Sequence, residues 1–367
     1  MRHWVAVLLG LLALSLALAP QPPPPRHSVR LLPFYSSPLS SGVTVVEVYG
    51  LPRYTGRGVV VAVLDTGVDY THPDLRHAVK LLASFTVRTR DGRPLVWVVG
   101  LNGTLDDARS FDETVKRSAG AYAWLDEHGH GTHVSGIIAG DGSLSGGAIR
   151  GLAPGASLWV VKVLGADGTG SVKDLIDALL WLARMMDAGY QVDVVNLSLG
   201  VEDREEGERV ASACAELVRR GAIVVAAAGN EGTAGAIDYP ARARGIIAAT
   251  AVDRSGRRAP FASMGAPWID KPDYAALGVD VLSTAPTYPS RLGQTAYAAL
   301  SGTSMATAVL SGIAALWVEA VGRAAALQAM EASALPASPV GAGRTWSIGL
   351  GYAVPPGARE TFIGSSG

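Results

Sequence analysis

The chain has 367 residues, 49% hydrophobic and 17% charged, which is enough apolar side chain for a sizeable core and excludes global disorder. Its 31 Lys and Arg nearly balance 32 Asp and Glu to a net charge of −1, so no broad basic field gathers phosphates and nucleic acid is not an expected partner. Cys214 is the single cysteine, which excludes an internal disulfide and a Cys-rich zinc site.

In chain order, Met1-Arg2-His3 precedes an apolar run over 4–19, the pattern of an export signal. The run falls short of the roughly 20 residues that cross a bilayer comfortably, so residues 1–19 are expected to be cleaved and the protein to be secreted. Pro20 directly after Ala17-Leu18-Ala19 is a poor cleavage partner. Retention of 4–19 as a tether at the outer face of the cell membrane is therefore the alternative. Residues 20–57 read as a proline-rich linker and short N-terminal segment, beginning with the stiff Pro20-Gln21-Pro22-Pro23-Pro24-Pro25. From 58 to 330 apolar segments recur with short Gly-rich breaks and no repeat, as one large domain. Residues 331–367 form a tail rich in Gly, Ala and Pro.

Nearly continuous Val- and Ile-rich runs at 59–64, 158–163, 192–197 and 222–227 predict strands buried on both faces. Helical spacing over 172–186 (Leu175, Leu179, Leu182) and 206–220 lies between them, with Gly189 and Gly221 as stops. This alternation predicts an α/β fold with a mostly parallel central sheet and helices on both faces. Ligands in such folds bind beyond the carboxyl ends of the strands, where Asp65-Thr66-Gly67, Ser198-Leu199-Gly200 and Gly229-Asn230 fall. Cys214, within the second helix, reads as a small core residue.

Ser304, in Ser301-Gly302-Thr303-Ser304-Met305-Ala306, stands at the start of a helical pattern over 309–318. There it is either a helix cap or a nucleophile, and a nucleophile needs a histidine base and an orienting carboxylate. All seven histidines (His3, His27, His72, His77, His128, His130, His133) precede Ser304, and neither His nor Asp follows it. The order Ser, acid, His of α/β-hydrolases therefore fails. The strand and helix alternation argues against the paired β-barrels that carry His, Asp, Ser. Asp, His, Ser remains.

Val63-Leu64-Asp65-Thr66-Gly67-Val68-Asp69, His130-Gly131-Thr132-His133-Val134-Ser135-Gly136, Ala226-Ala227-Ala228-Gly229-Asn230-Glu231-Gly232 and Gly302-Thr303-Ser304-Met305-Ala306 stand in that order. In these four blocks the chain resembles the subtilisin-like serine peptidases. The resemblance implies an exported endopeptidase working through an acyl-enzyme: Ser304 as nucleophile, His130 as general base, Asp65 as its orienting acid, and the Asn230 amide with the Ser304 N–H as oxyanion donors. It implies no cofactor for the chemistry, polypeptide substrates and a monomer.

By the same resemblance, Gly168-Thr169-Gly170 and Ser198-Leu199-Gly200 are the two backbone edges that clamp an extended peptide as an added strand. Ala228 and Gly229, with Ser198-Leu199-Gly200, wall the pocket for the residue before the scissile bond. Small and mostly apolar, they predict broad specificity favouring apolar or aromatic residues, with Glu231 at the rim accommodating a basic one. Asp74 resembles a calcium-ligand position, with Asp141 in the partner loop, although a solvated turn explains the same residues. His128-x-His130-x-x-His133 could be read as a metal cluster but lacks zinc spacing, and the family uses only the first histidine of His-Gly-Thr-His. Asp69 and Asp74 are alternative orienting acids, but only Asp65 directly follows a buried run.

The chain departs from the family's pattern at Ala308 and at Ala276-Leu277-Gly278, where prolines are expected. It also has too little sequence between 20 and 58 for the usual inhibitory prodomain. Either it folds without one or this segment serves as a reduced version. A polar insertion over 88–127 reads as a surface elaboration, a lid or a partner site. Within it Asn102-Gly103-Thr104 has the pattern of a glycan acceptor, or is a plain turn, while Asn196-Leu197-Ser198 lies in a buried run. Only three asparagines and a large excess of Arg over Lys predict a thermostable protein.

Overall fold

The computed structural model describes residues 28–335 and 349–357; the apolar run at 4–19 and most of the tail lie outside them. The chain opens with β1 (Ser28–Arg30), β2 (Tyr35–Ser37) and α1 (Val45–Tyr49), then β3 (Val60–Asp65), β4 (Val79–Arg88), β5 (Pro94–Val98), α2 (Leu105–Ala119) and α3 (His130–Ala139). The middle holds β6 (Ser157–Lys162), β7 (Thr169–Ser171), α4 (Val172–Asp187), β8 (Val194–Leu197), β9 (Gly200–Val201), α5 (Arg204–Arg219) and β10 (Ile223–Ala227). It closes with β11 (Ile247–Val252), β12 (Tyr274–Leu277), β13 (Val281–Thr284), β14 (Tyr297–Ser301), α6 (Thr303–Val321) and α7 (Arg323–Ser333).

Eight strands form one sheet in the order β12-β11-β10-β8-β3-β6-β4-β5, parallel except for the edge pair β4 and β5. The four strands expected from sequence are its contiguous centre. Alternation along β3 explains their unbroken apolar character: Val61 and Val63 belong to the core shared with α3 and α6, while Ala62 and Leu64 belong to the one shared with α4 and α5. Both faces are covered, so each fully buried Val or Leu contributes on the order of 1.5–3 kcal/mol. The helix expected over 172–186 runs to Asp187 and starts where the Ser171 hydroxyl accepts the Asp174 N–H at 2.9 Å. α6 is apolar and long enough to cross a membrane, but 78% of that stretch is buried inside the protein, as the central helix that begins beside Ser304.

The insertion at 88–127 is not a surface elaboration. β5 extends the central sheet, and α2 packs Leu105, Ala108 and Val115 into the core beside Trp97 and Trp124. The buried Asp112 of α2 accepts the Ala123 N–H at 2.5 Å, the Leu125 N–H at 2.9 Å and the Tyr70 hydroxyl at 3.0 Å. Its carboxylate thus ties the end of the insertion to the body of the fold. Asn102 takes the plain turn, its Oδ1 accepting the Val98 N–H at 2.8 Å while Thr104 caps α2. Residues 28–49 do not trail away: Val45 and Tyr49 are buried in the core, and the Leu277 N–H donates to the Tyr49 hydroxyl at 3.0 Å.

Candidate active site

Asp65 ends β3 at the carboxyl side of the sheet, rigid between β6 and β8. Its carboxylate accepts from Thr66 N–H at 2.7 Å and faces His130 Nδ1, with Oδ1 at 2.9 Å and Oδ2 at 3.0 Å. His130 is the first residue of α3. The close approach of that helix to β3 requires glycine at 131, because a Cβ there would lie 2.2 Å from the Gly67 carbonyl oxygen and 3.2 Å from Asp65 Oδ1. Holding Nδ1 against a carboxylate fixes the tautomer that presents Nε2 as a base.

The helix start is held by Asp126, a residue the sequence reading did not single out. α3 has Gly129 at its N-cap with no side chain to cap it. Asp126 accepts instead from the N–H groups of His128 (3.1 Å), Gly129 (2.8 Å) and Thr132 (2.8 Å), and from the hydroxyls of Thr132 (2.7 Å) and Thr66 (2.8 Å). A buried carboxylate at a helix N-terminus satisfies the orphan donors and matches the helix dipole. Thr66 also receives the Gly131 N–H at 2.9 Å, which links the two acids through one hydroxyl.

Ser304 lies in the first turn of α6, directly after β14, and is fully buried. Its Oγ donates to the Ser198 carbonyl at 3.2 Å, and His130 Nε2 has no hydrogen-bond partner. The structure therefore brings Asp65 onto His130 but does not join His130 to Ser304. Such contacts commonly tighten only with substrate in place. Asn230, after β10, has its Oδ1 fixed by the N–H and hydroxyl of Thr303, each at 2.9 Å, which turns its Nδ2 into the cleft.

The two expected peptide-binding edges are already filled, by the chain's own N-terminal segment. β1 pairs antiparallel with β7 on one side (Val29 opposite Gly170, Arg30 opposite Thr169) and with β9 on the other (Arg30 opposite Gly200). The Leu31 N–H donates to the Gly168 carbonyl at 2.9 Å. Leu32 is 1% exposed and lies against Gly200, where an added Cβ would sit 2.7 Å from its Cδ2. Asn230 Nδ2 donates to the carbonyl of the next residue, Pro33, at 2.5 Å. Phe34 then sets its ring 5.5 Å from that of His130, and β2 continues along β14 with Tyr35 opposite Ser301. Residues 28–37 thus run the length of the cleft as an added strand.

The remaining candidates are placed elsewhere. Asp69 is used up by Thr71 and by the N–H (2.9 Å) and hydroxyl (2.7 Å) of Thr287, so it is not the orienting acid. His133 Nε2 donates toward the carbonyls of Val281 and Ala298, each at 3.0 Å, and burial pushes its pKa down to about 3, a neutral structural residue. Burial, then the neighbouring His130, also lowers the pKa of His128. Asp74 and Asp141 are adjacent, the Asp141 N–H donating to the Asp74 carbonyl at 3.1 Å. Yet the Asp74 carboxylate already accepts Leu144 N–H (2.6 Å) and the Tyr297 hydroxyl (2.7 Å), and that of Asp141 accepts Ser143 (2.6 Å to its hydroxyl). Both carboxylates are thus engaged by the protein's own donors, and among the described residues no three His, Cys, Asp or Glu side chains group to hold a metal.

A carboxylate-held imidazole, a serine at a helix start and a fixed amide facing a strand carbonyl, on a doubly covered parallel sheet, are the parts that hydrolases of the acyl-transfer class use. The Subtilase family model matches residues 56–337, and the chain belongs to that family, the subtilisin-like serine endopeptidases. Subtilisin Savinase from Lederbergia lenta is 40% identical over 263 residues, covering 71% of this chain and 77% of that protein. M-protease from Shouchella clausii (strain KSM-K16) is 40% identical over 263 residues, and its match spans about half of its own length, 54%, against 71% of this chain. Among solved structures, the S41 psychrophilic protease superposes with a TM-score of 0.67 at 27% identity, covering 86% of this chain and 98% of that one.

Proposed function

We propose that this chain is an exported serine endopeptidase. Ser304 Oγ attacks the scissile carbonyl and gives its proton to His130 Nε2; Asp65 stabilises the imidazolium; the Asn230 amide and the Ser304 N–H hold the oxyanion; His130 returns the proton to the leaving amine, and water then releases the acyl group by the same route. No cofactor takes part. The observation that carries this reading is the seated segment: a strand paired on both edges, with a carbonyl on Asn230 and a side chain against His130. Polypeptide substrates would take the same path, and because main-chain pairing reads little sequence, the paired strand itself accepts many and selection falls to the pocket that holds Leu32. Export through residues 1–19 to the outside of the cell and a monomeric state complete the reading.

The same segment serves as the reduced version of a prodomain. Its register is unproductive: Leu32 fills the pocket, but the carbonyl at Asn230 belongs to Pro33. The bond after Leu32 ends on a proline nitrogen held in a ring, a poor fit for an extended scissile bond. The segment therefore holds the cleft closed without being cut there.

A fluorophosphonate probe tests the reading on the purified full chain, before and after loss of residues 28–37 during incubation. An adduct on Ser304, faster after that loss and absent in Ser304→Ala, is expected. A folded protein that has lost the segment and still forms no adduct overturns it. Ion pairs such as Arg220 with Asp187 and Glu216, each at 2.8 Å, support thermostability as a further part of the reading, and a melting midpoint below about 65 °C counts against it.

A further inference from the structure

The pocket that holds Leu32 carries an acid that no part of the mechanism uses. Asp238 Oδ2 is buried and has no hydrogen-bond partner. A Cβ built on Gly200 would lie 2.7 Å from Leu32 Cδ2 and 3.1 Å from Asp238 Oδ2, so both atoms crowd the same side of that glycine. A Cβ on Gly229, the opposite wall, would also lie 3.1 Å from Asp238 Oδ2, and 2.6 Å from Glu231 Oε2. The carboxylate thus sits between the two glycines that wall the pocket, with a second carboxylate beside it. A leucine methyl offers it no donor. A buried acceptor left bare is costly, and a site built around one favours a ligand that supplies the donor.

We propose that Asp238 is a specificity-determining residue and that the pocket before the scissile bond takes lysine or arginine. The inference rests on the peptidase reading and names its substrate class. A cationic side chain, longer than leucine by its apolar stem, follows the Leu32 path along Gly200 and ends on Oδ2 in a charge-assisted hydrogen bond, with Glu231 adding to the field. Burial, then Glu231, push the Asp238 pKa up to about 7, whereas Arg30, which the seated segment pairs with Glu202 at the cleft wall, draws it down. The surroundings already respond to a cation, and the segment brings one near the pocket without placing one inside it.

The test has two arms on the full chain. In the first, kcat/KM is measured on four peptidyl p-nitroanilides that differ only in the last residue, Arg, Lys, Leu or Phe. Arg and Lys are expected to exceed Leu by about 10- to 100-fold, the range of a hydrogen bond to a charged group, and Asp238→Asn is expected to abolish that ratio while Leu turnover persists. In the second, the Ser304→Ala chain, which cannot cleave, is titrated by calorimetry with peptides ending in arginine or leucine, both of which must displace residues 28–37, so that this common cost cancels in their ratio. Arginine is expected to bind at least about 10-fold tighter, a preference lost in Asp238→Asn. Equal or reversed preference in the binding arm overturns the proposal, as does a ratio that survives Asp238→Asn. Absence of all turnover with the binding preference intact overturns the peptidase reading and leaves the pocket assignment standing.

Discussion

On the side of the cleft built from residues 60–139, the two buried acids of the site have their partners: Asp65 is met by Thr66 and His130, and Asp126 takes five donors. On the facing side, Asp238 Oδ2 is bare, and Ser304 Oγ rests on a backbone carbonyl, leaving His130 Nε2 across the cleft without a partner. Asp238 is half-buried as a residue, but its Oδ2 is as shielded from solvent as the Asp65 and Asp126 carboxylates, so exposure of that atom does not explain the difference. These satisfied acids hold the fold in place, whereas Asp238 Oδ2, Ser304 Oγ and His130 Nε2 lie along the path of an incoming chain.

This contrast can be broken or sharpened by mutation. The largest effect is expected from Asp65→Asn, a fall of about 10⁴ in kcat with the melting midpoint nearly unchanged, since the wrong imidazole tautomer results; steady-state kinetics beside thermal unfolding checks both halves. Asn230→Ala follows, with a loss of about 10²–10³ in kcat, a magnitude taken over from subtilisin itself. Asp126→Ala reverses the balance: by leaving several buried donors without an acceptor it should lower the unfolding free energy by about 3 kcal/mol, read by denaturant titration, and depress activity through misplacement of His130. A stable Asp126→Ala protein would show that the two sides do not differ as described. Smallest is a pH effect on selectivity. Asp238, faced by Glu231, Glu202 and Arg30, is neutral below and charged above about pH 7, so the ratio of Arg to Leu turnover should rise several-fold from pH 6 to pH 8.5. Any pH dependence of the chemical steps that both substrates share cancels in that ratio, and a flat profile would separate Asp238 from recognition.

The centre of the fold was legible because strands buried on both faces are written in Val and Ile, as in β3, β6, β8 and β10. The flanking strands were not. β11 and β12 are half alanine (Ile-Ala-Ala-Thr-Ala-Val and Tyr-Ala-Ala-Leu), which carries no strand preference, and β5 lies within 88–127, among charged residues that read as insertion. Asp65, His130, Ser304 and Asn230 were legible because they stand in short motifs in a fixed order. Asp126 and Asp238 sit in no motif, and an aspartate in a polar stretch looks the same whether it holds a helix or faces water. The cleft segment did leave a trace: Leu31-Leu32-Pro33-Phe34-Tyr35 is too apolar for a solvated linker. Its destination became visible only with both edges in view.

Pairing on both sides has a bearing on solubility. Without residues 28–37, β7, β9 and β14 would each present a row of bare amides and carbonyls to the medium, the kind of rim along which neighbouring molecules stack. While it stays in place, the segment keeps those rims dry, so a concentrated solution of the unprocessed protein should remain clear where the stripped form, lacking any peptide to fill the gap, begins to cluster.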